Sequence, residues 1–202
     1  LNKLLPCPKL KTQEMDCICY YTALHLGLWN AWIPSFGLVI IQLLFMVCFR
    51  ETGKRAIDTS WYTPKERRHA QWSFVWQGGI LILSLFVPLR LHSPFFFAGL
   101  LLFAMALVGF LASFFAYWKT PLDKTVKSGV YRLSRNPMYF FFMLGMLGVC
   151  IATASLWLLI VMVPFAVFTH GIILGEERYC EATYGKEYLE YKKRTPRYLF
   201  FG

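Results

Sequence analysis

Met138-Tyr139-Phe140-Phe141-Phe142-Met143-Leu144-Gly145-Met146-Leu147-Gly148-Val149-Cys150-Ile151 is an apolar run without a charge, and after Ala152-Thr153-Ala154-Ser155 residues 156–174 are apolar again. The first run is short for a full crossing, because about 20 residues are needed to traverse the hydrocarbon core of a bilayer. A tight helical hairpin fits the pair, with Pro164 expected to kink its second arm. A hairpin brings the chain back to its starting level. The polar segment before it, residues 119–137, and the polar tail after it, residues 175–202, are therefore expected to meet.

Working outward, three further apolar stretches precede the hairpin, at residues 31–49, 71–89 and 95–118. Trp72 and Trp76 near the start of the second suit an aromatic belt. Of the 202 residues, 57% are hydrophobic, against about 45–50% in ordinary soluble domains. The expected fold is all-α: a polytopic integral membrane protein with about five transmembrane helices in a single domain, residues 1–202. Its two parts are three spans in 1–118 and a cofactor-binding region with the hairpin in 119–202. The tail is expected to be helical to about Arg194. The net charge of +10 would suit nucleic acid, but runs of membrane-spanning length exclude that partner.

Charge placement gives an expected orientation. Residues 50–70, 119–135 and 175–202 carry 6, 5 and 6 Lys/Arg, whereas the lead-in carries 3 and the 90–94 turn 1. The positive-inside rule puts the three basic intervals in the cytosol, with the N-terminus outside and the C-terminus inside. The membrane would be a bacterial or archaeal inner membrane or the endoplasmic reticulum. The polar, Pro-punctuated lead-in does not read as a cleavable signal peptide. Cys7, Cys17 and Cys19 with His25 lack standard zinc spacing, so no metal site is expected.

The chemistry concentrates in two places. Residues 123–139 form a donor-rich basic loop that ends in Asn136-Pro137, a favoured cap followed by a favoured first helical residue. Glu176-Glu177 follows the last apolar run, and Tyr184, Tyr188 and Tyr191 recur at helical spacing, a stripe expected mainly to pack. Lys192-Lys193-Arg194 reads as an anchor to anionic lipid. Polar groups at a membrane are costly, so such concentrations point to function.

Gly129-Val130-Tyr131-x-x-x-Arg135-Asn136-Pro137-x-Tyr139, then Glu176-Glu177, then Tyr184-Gly185-x-x-Tyr188-x-x-Tyr191-x-x-Arg194-x-Pro196 resembles the isoprenylcysteine carboxyl methyltransferase family and its phospholipid N-methyltransferase relatives. The resemblance covers residue 119 onward. It implies S-adenosylmethionine (AdoMet) as cofactor, bound without the Gly-x-Gly-x-x-Gly fingerprint, which this chain lacks. It further implies that Lys124, Thr125 and Val126 edge the cofactor and that Tyr131 contacts it. Asn136, Pro137, Met138 and Tyr139 match the family's Arg-His-Pro-x-Tyr motif after its Arg. Glu176 matches the residue that meets the cofactor, with Glu177 its neighbour.

The residue chemistry agrees with that set. A carboxylate such as Glu176 suits the cofactor's amine. Arg135 or Lys124 with helix-start N–H groups suits its carboxylate, and tyrosine faces suit adenine or the sulfonium. Two positions depart from the family. Asn136 stands where the motif has His. Ile172 stands where the carboxyl methyltransferases have Arg, leaving His170 as the nearest candidate to meet the substrate.

The expected function is AdoMet-dependent methyl transfer to a lipophilic or membrane-delivered acceptor, in the manner of the carboxyl methyltransferases. Methylation of a phospholipid amine is the alternative. A non-catalytic scaffold, or a nicotinamide-dependent relative of the sterol reductases, stays open. The expected partners are the lipid substrate and membrane lipids, and the sequence sets no oligomeric state.

Overall fold

The computed structural model describes residues 19–121 and 123–199. Cys7, Cys17 and the polar lead-in lie outside them. Among the described residues, after a helical stretch at 19–22, six α-helices follow in order: α1 (Trp32–Cys48), α2 (Arg50–Ile57), α3 (Pro64–Ser84), α4 (Pro94–Lys119), α5 (Pro137–Thr153) and α6 (Leu156–Arg194), with a 3-10 turn at Gly129–Arg132 before α5.

Local sequence explains most boundaries. Thr63 opens α3 with a full capping box: its hydroxyl accepts from Glu66 N, and the Glu66 carboxylate accepts from Thr63 N, with Pro64 in the first turn. Ser93 caps α4 ahead of Pro94. Between α1 and α2 the chain bends by 118°, and Gly53 lies so close to Met46 O that a Cβ there would collide with it. The bend therefore needs Gly53.

The helices associate as two close pairs. In α4 and α5, Gly99 and Gly148 bring the backbones together, and a Cβ on Gly99 would run into Gly148 O and Ala152 N. In α3 and α6 the equivalents are Gly171, under the His69 ring, and Gly175, under the Glu66 side chain. Small residues four apart give this kind of close crossing. Between the pairs, Leu38, Phe110, Phe142, Met146, Val149, Leu158 and Phe165 form the core. Val47, Leu101 and Val108 point outward and stay more than half exposed, as a lipid-facing surface does.

The five-span architecture is not what forms. Among the described residues two helices are long and apolar enough to cross a membrane, α4 and α6, and a third is reached only if the bent α1–α2 pair counts as one span. The second expected span falls because α3 starts at Pro64, not near residue 71, and spends its first two turns on Lys65, Glu66, Arg67, Arg68, His69 and Gln71. The fourth falls because α5 has 17 residues, about 26 Å of helix against about 30 Å of hydrocarbon. The multi-pass localisation, with its N-terminus outside and C-terminus in the cytosol, counted five crossings and falls with them. Pro164 lies inside α6, and a break in the helix stands at Gly185, whose dihedrals are non-helical (φ 52°).

The candidate cofactor site

The hairpin of α5 and the apolar part of α6 does bring the 123–136 loop and the tail to one end of the molecule. They meet around two adjacent carboxylates, and the two meet different things.

Glu177 is clamped. Its side chain is 3% exposed and accepts from Arg135 Nε (3.2 Å) and Nη2 (3.3 Å), Asn136 Nδ2 (2.9 Å), and Arg197 Nε (3.1 Å) and Nη2 (3.0 Å). Burial by itself pushes this carboxyl up, but the hydrogen bonds from Arg197, Arg135 and Asn136 bring it below the usual carboxylate range. Arg135 also donates to Lys192 O (2.9 Å) and Thr195 O (2.6 Å), and its backbone N to Pro196 O (2.9 Å). Ser134 Oγ donates to Arg197 O (2.8 Å) and accepts from Asn136 N (3.1 Å). Loop and tail are thus sewn together through Glu177. Asn136 precedes α5 as a cap residue, but its side chain makes no capping bond.

Glu176 sits among phenols. It lies two residues past the end of the apolar stretch of α6, is partly buried, and accepts a short hydrogen bond from Tyr139 Oη. Tyr62, Tyr117 and Tyr131 also lie within its electrostatic reach. Burial pushes the Glu176 carboxyl up to about 7, with the Tyr139 bond opposing it. Next to this carboxylate, Val126, Tyr131 and Ala116 form a small cluster with Tyr117 and Met138 against it. Tyr191 Oη donates to Tyr131 O (2.6 Å), so one member of the tyrosine stripe fixes the loop, and Tyr188 packs beside it at 5.9 Å.

The residues singled out from sequence therefore divide. Tyr131, Val126, Met138, Tyr139 and Glu176 gather in one cluster, with Thr125 joining through its neighbour Val126. Arg135, Asn136 and Glu177 form the clamp, and buried Pro137 starts α5 beside it. Lys124 is exposed, with its carbonyl turned inward to Arg55. His170 is closed off by the tail: its Nδ1 is 2.7 Å from Tyr198 Oη. Sequence reasoning missed Arg55, Tyr62 and Tyr117. Tyr62 and Tyr117 lie outside the motifs that carry the resemblance, and Arg55 is one of six basic residues in its interval.

The cluster fits AdoMet chemistry. Glu176 is an anion suited to an amine, tyrosine faces suit a sulfonium or a purine, and Thr125 Oγ1 is buried without a hydrogen-bond partner. An orphaned buried hydroxyl is costly unless a ligand satisfies it.

Comparison with known proteins points to a methyltransferase family. The family model described as phospholipid methyltransferase matches residues 95–187. A methyltransferase-family domain thus occupies that part of the chain, and it supports reading the protein as an AdoMet-dependent methyltransferase. The chain is also 28% identical, over 132 residues, to the cobalt-zinc-cadmium resistance protein CzcN of Cupriavidus metallidurans. That similarity covers 65% of this chain, which spans about half (54%) of the relative. No solved structure matches.

Proposed function

We propose that this protein transfers a methyl group from AdoMet to an amine carried by a membrane lipid. The observation that carries the reading is the contrast between the two carboxylates. Glu176, among tyrosines, suits positively charged groups. The cations that a carboxylate acceptor would need are committed elsewhere: Arg135 and Arg197 to Glu177, and His170 to Tyr198, while position 172 is Ile. The phospholipid methyltransferase match over residues 95–187 favours the same acceptor class.

Bound in this cluster, AdoMet would supply an electrophilic methyl group on its sulfonium. The protein's part is binding and orientation. Glu176, steadied by Tyr139, would take the cofactor's amine, and Thr125 Oγ1 would gain a partner. Tyr131 and Tyr117 would present faces or hydroxyls to the rest of the ligand. The Glu177 clamp would fix the loop so that these groups keep their places. The acceptor amine must arrive unprotonated, since its lone pair forms the new bond.

The test is to supply AdoMet with a radiolabelled methyl group to purified protein with phosphatidylethanolamine vesicles or with a prenylcysteine. Alkali-stable label in the phospholipid is the expected result. Alkali-labile label, released as methanol from a methyl ester on the prenylcysteine, would contradict the amine assignment.

A further inference from the structure

Arg55 stands at the junction of three segments far apart in the chain. Its Nη1 donates to Pro121 O (3.4 Å), and its Nη2 donates to Lys124 O (3.0 Å) and Tyr184 Oη (2.7 Å). The guanidinium lies 5.0 Å from the centroid of the Tyr117 ring and 6.0 Å from that of Tyr184. The loop it holds leads directly into Thr125, whose hydroxyl is the orphan of the site. The tail residue it holds comes just before Gly185, where α6 breaks at φ 52°. Gly53, with its close approach to Met46 O, fixes the bend that carries Arg55 inward while Arg50 and Lys54 on the same short helix stay exposed.

We propose that Arg55 is a positioning residue of the methyl-transfer site: it fastens Pro121 and Lys124 to Tyr184 of the tail and so keeps the segment leading into Thr125 in place. This inference rests on the methyltransferase reading and extends it to a segment outside the region matched by the family, residues 95–187. Arginine is suited to the task. One planar group reaches two carbonyls and a phenol while stacking on a tyrosine face, a geometry the compact ammonium of lysine does not reproduce. The opposite edge of the loop is held by Lys127 and Glu187 (2.7 Å), an exposed pair that contributes little. Loss of Arg55 therefore removes a fastening that the loop leading into Thr125 shares with Tyr184.

The test uses the full chain in detergent or nanodiscs, with S-adenosylhomocysteine affinity measured by calorimetry and loop opening by hydrogen exchange. Arg55→Met should weaken S-adenosylhomocysteine binding and raise KM for AdoMet about tenfold, with kcat at saturating AdoMet changed by less than about threefold. Exchange across residues 121–128 should accelerate. Arg55→Lys should recover part of the affinity. If Arg55→Met folds and binds S-adenosylhomocysteine as the wild type does, the inference is overturned; should Arg55→Met not fold, wild-type affinity in Arg55→Lys overturns it. A wild-type protein that fails to bind S-adenosylhomocysteine sinks the methyltransferase reading itself, and this inference with it. Wild-type binding together with an unaffected Arg55 variant overturns the Arg55 assignment alone.

Discussion

Glu176 and Glu177 are neighbours on one helix, yet their surroundings are opposites. A step of one residue turns the side chain by about 100° around the helix, and that turn separates two kinds of region. Glu177 faces the loop and the returning tail, where Arg135, Asn136 and Arg197 satisfy it. Glu176 faces the phenols, where Tyr139 donates and burial raises the carboxyl to about 7. A carboxylate surrounded by donors builds a structure. A crowded carboxylate with a raised pKa suits the ligand-binding role proposed for Glu176.

The contrast can be broken by mutation, and the largest effect is expected on the clamp. Glu177→Ala leaves two arginines facing each other without their anion, and unfolding in detergent should show a loss of about 3–5 kcal/mol. A loss below about 1 kcal/mol, a value usual for exposed pairs, would mean that the clamp is not what holds loop to tail.

The next effect sharpens the role of Glu176 through pH. Because the folded state binds this proton more tightly than the unfolded chain, the ligand-free protein should lose stability as pH rises from about 4.5 to about 7. The ligand's protonated amine requires the ionised form of Glu176, so S-adenosylhomocysteine affinity should fall below pH 7, approaching tenfold per pH unit. Calorimetry across pH 5–8 tests this. A flat profile in the wild type would show that Glu176 does not meet the ligand's amine.

A third carboxylate supplies the small end of the scale. Glu66 pairs with Arg178 (2.8 Å), half of whose side chain is exposed. The Arg178 guanidinium, with the Thr63 capping bonds, depresses this carboxyl to about 2. Glu66→Gln should cost only about 1 kcal/mol at neutral pH, because solvent around the half-exposed Arg178 screens most of the interaction that depresses the carboxyl. The wild-type advantage should be present above about pH 4.5 and fade as pH falls toward 2. Thermal melts of both proteins across that range check it.

Much of this arrangement was legible in the chain. The ends of α1, α4 and α5 lie within two residues of the apolar limits, with Pro94 and Pro137 marking the starts of the last two. The hairpin alone required loop and tail to converge, and Tyr131, Tyr139 and Glu176 do come together. The crossing count was read wrongly for a physical reason. The apolar window at 71–89 begins in the middle of a helix whose start signal, Thr63-Pro64-Lys65-Glu66, was already visible in the sequence. The partners of Arg135 were not legible. A cation beside a candidate anion site looks like a ligand contact until the fold brings Glu177 to it, 42 positions away. Arg55 was hidden similarly, since its role depends on the Gly53 bend and on Tyr184, 129 positions distant.

The central claim is that the phenol-ringed carboxylate, and not its clamped neighbour, holds the cofactor. Calorimetric binding of S-adenosylhomocysteine to wild type and Glu176→Gln, with thermal unfolding of both, tests it most directly. The expected result is a loss of about 10–100-fold in affinity, the value of a charge-assisted hydrogen bond, with the melting temperature unchanged or raised because the buried charge is gone. Unchanged affinity in a folded Glu176→Gln protein would contradict the account.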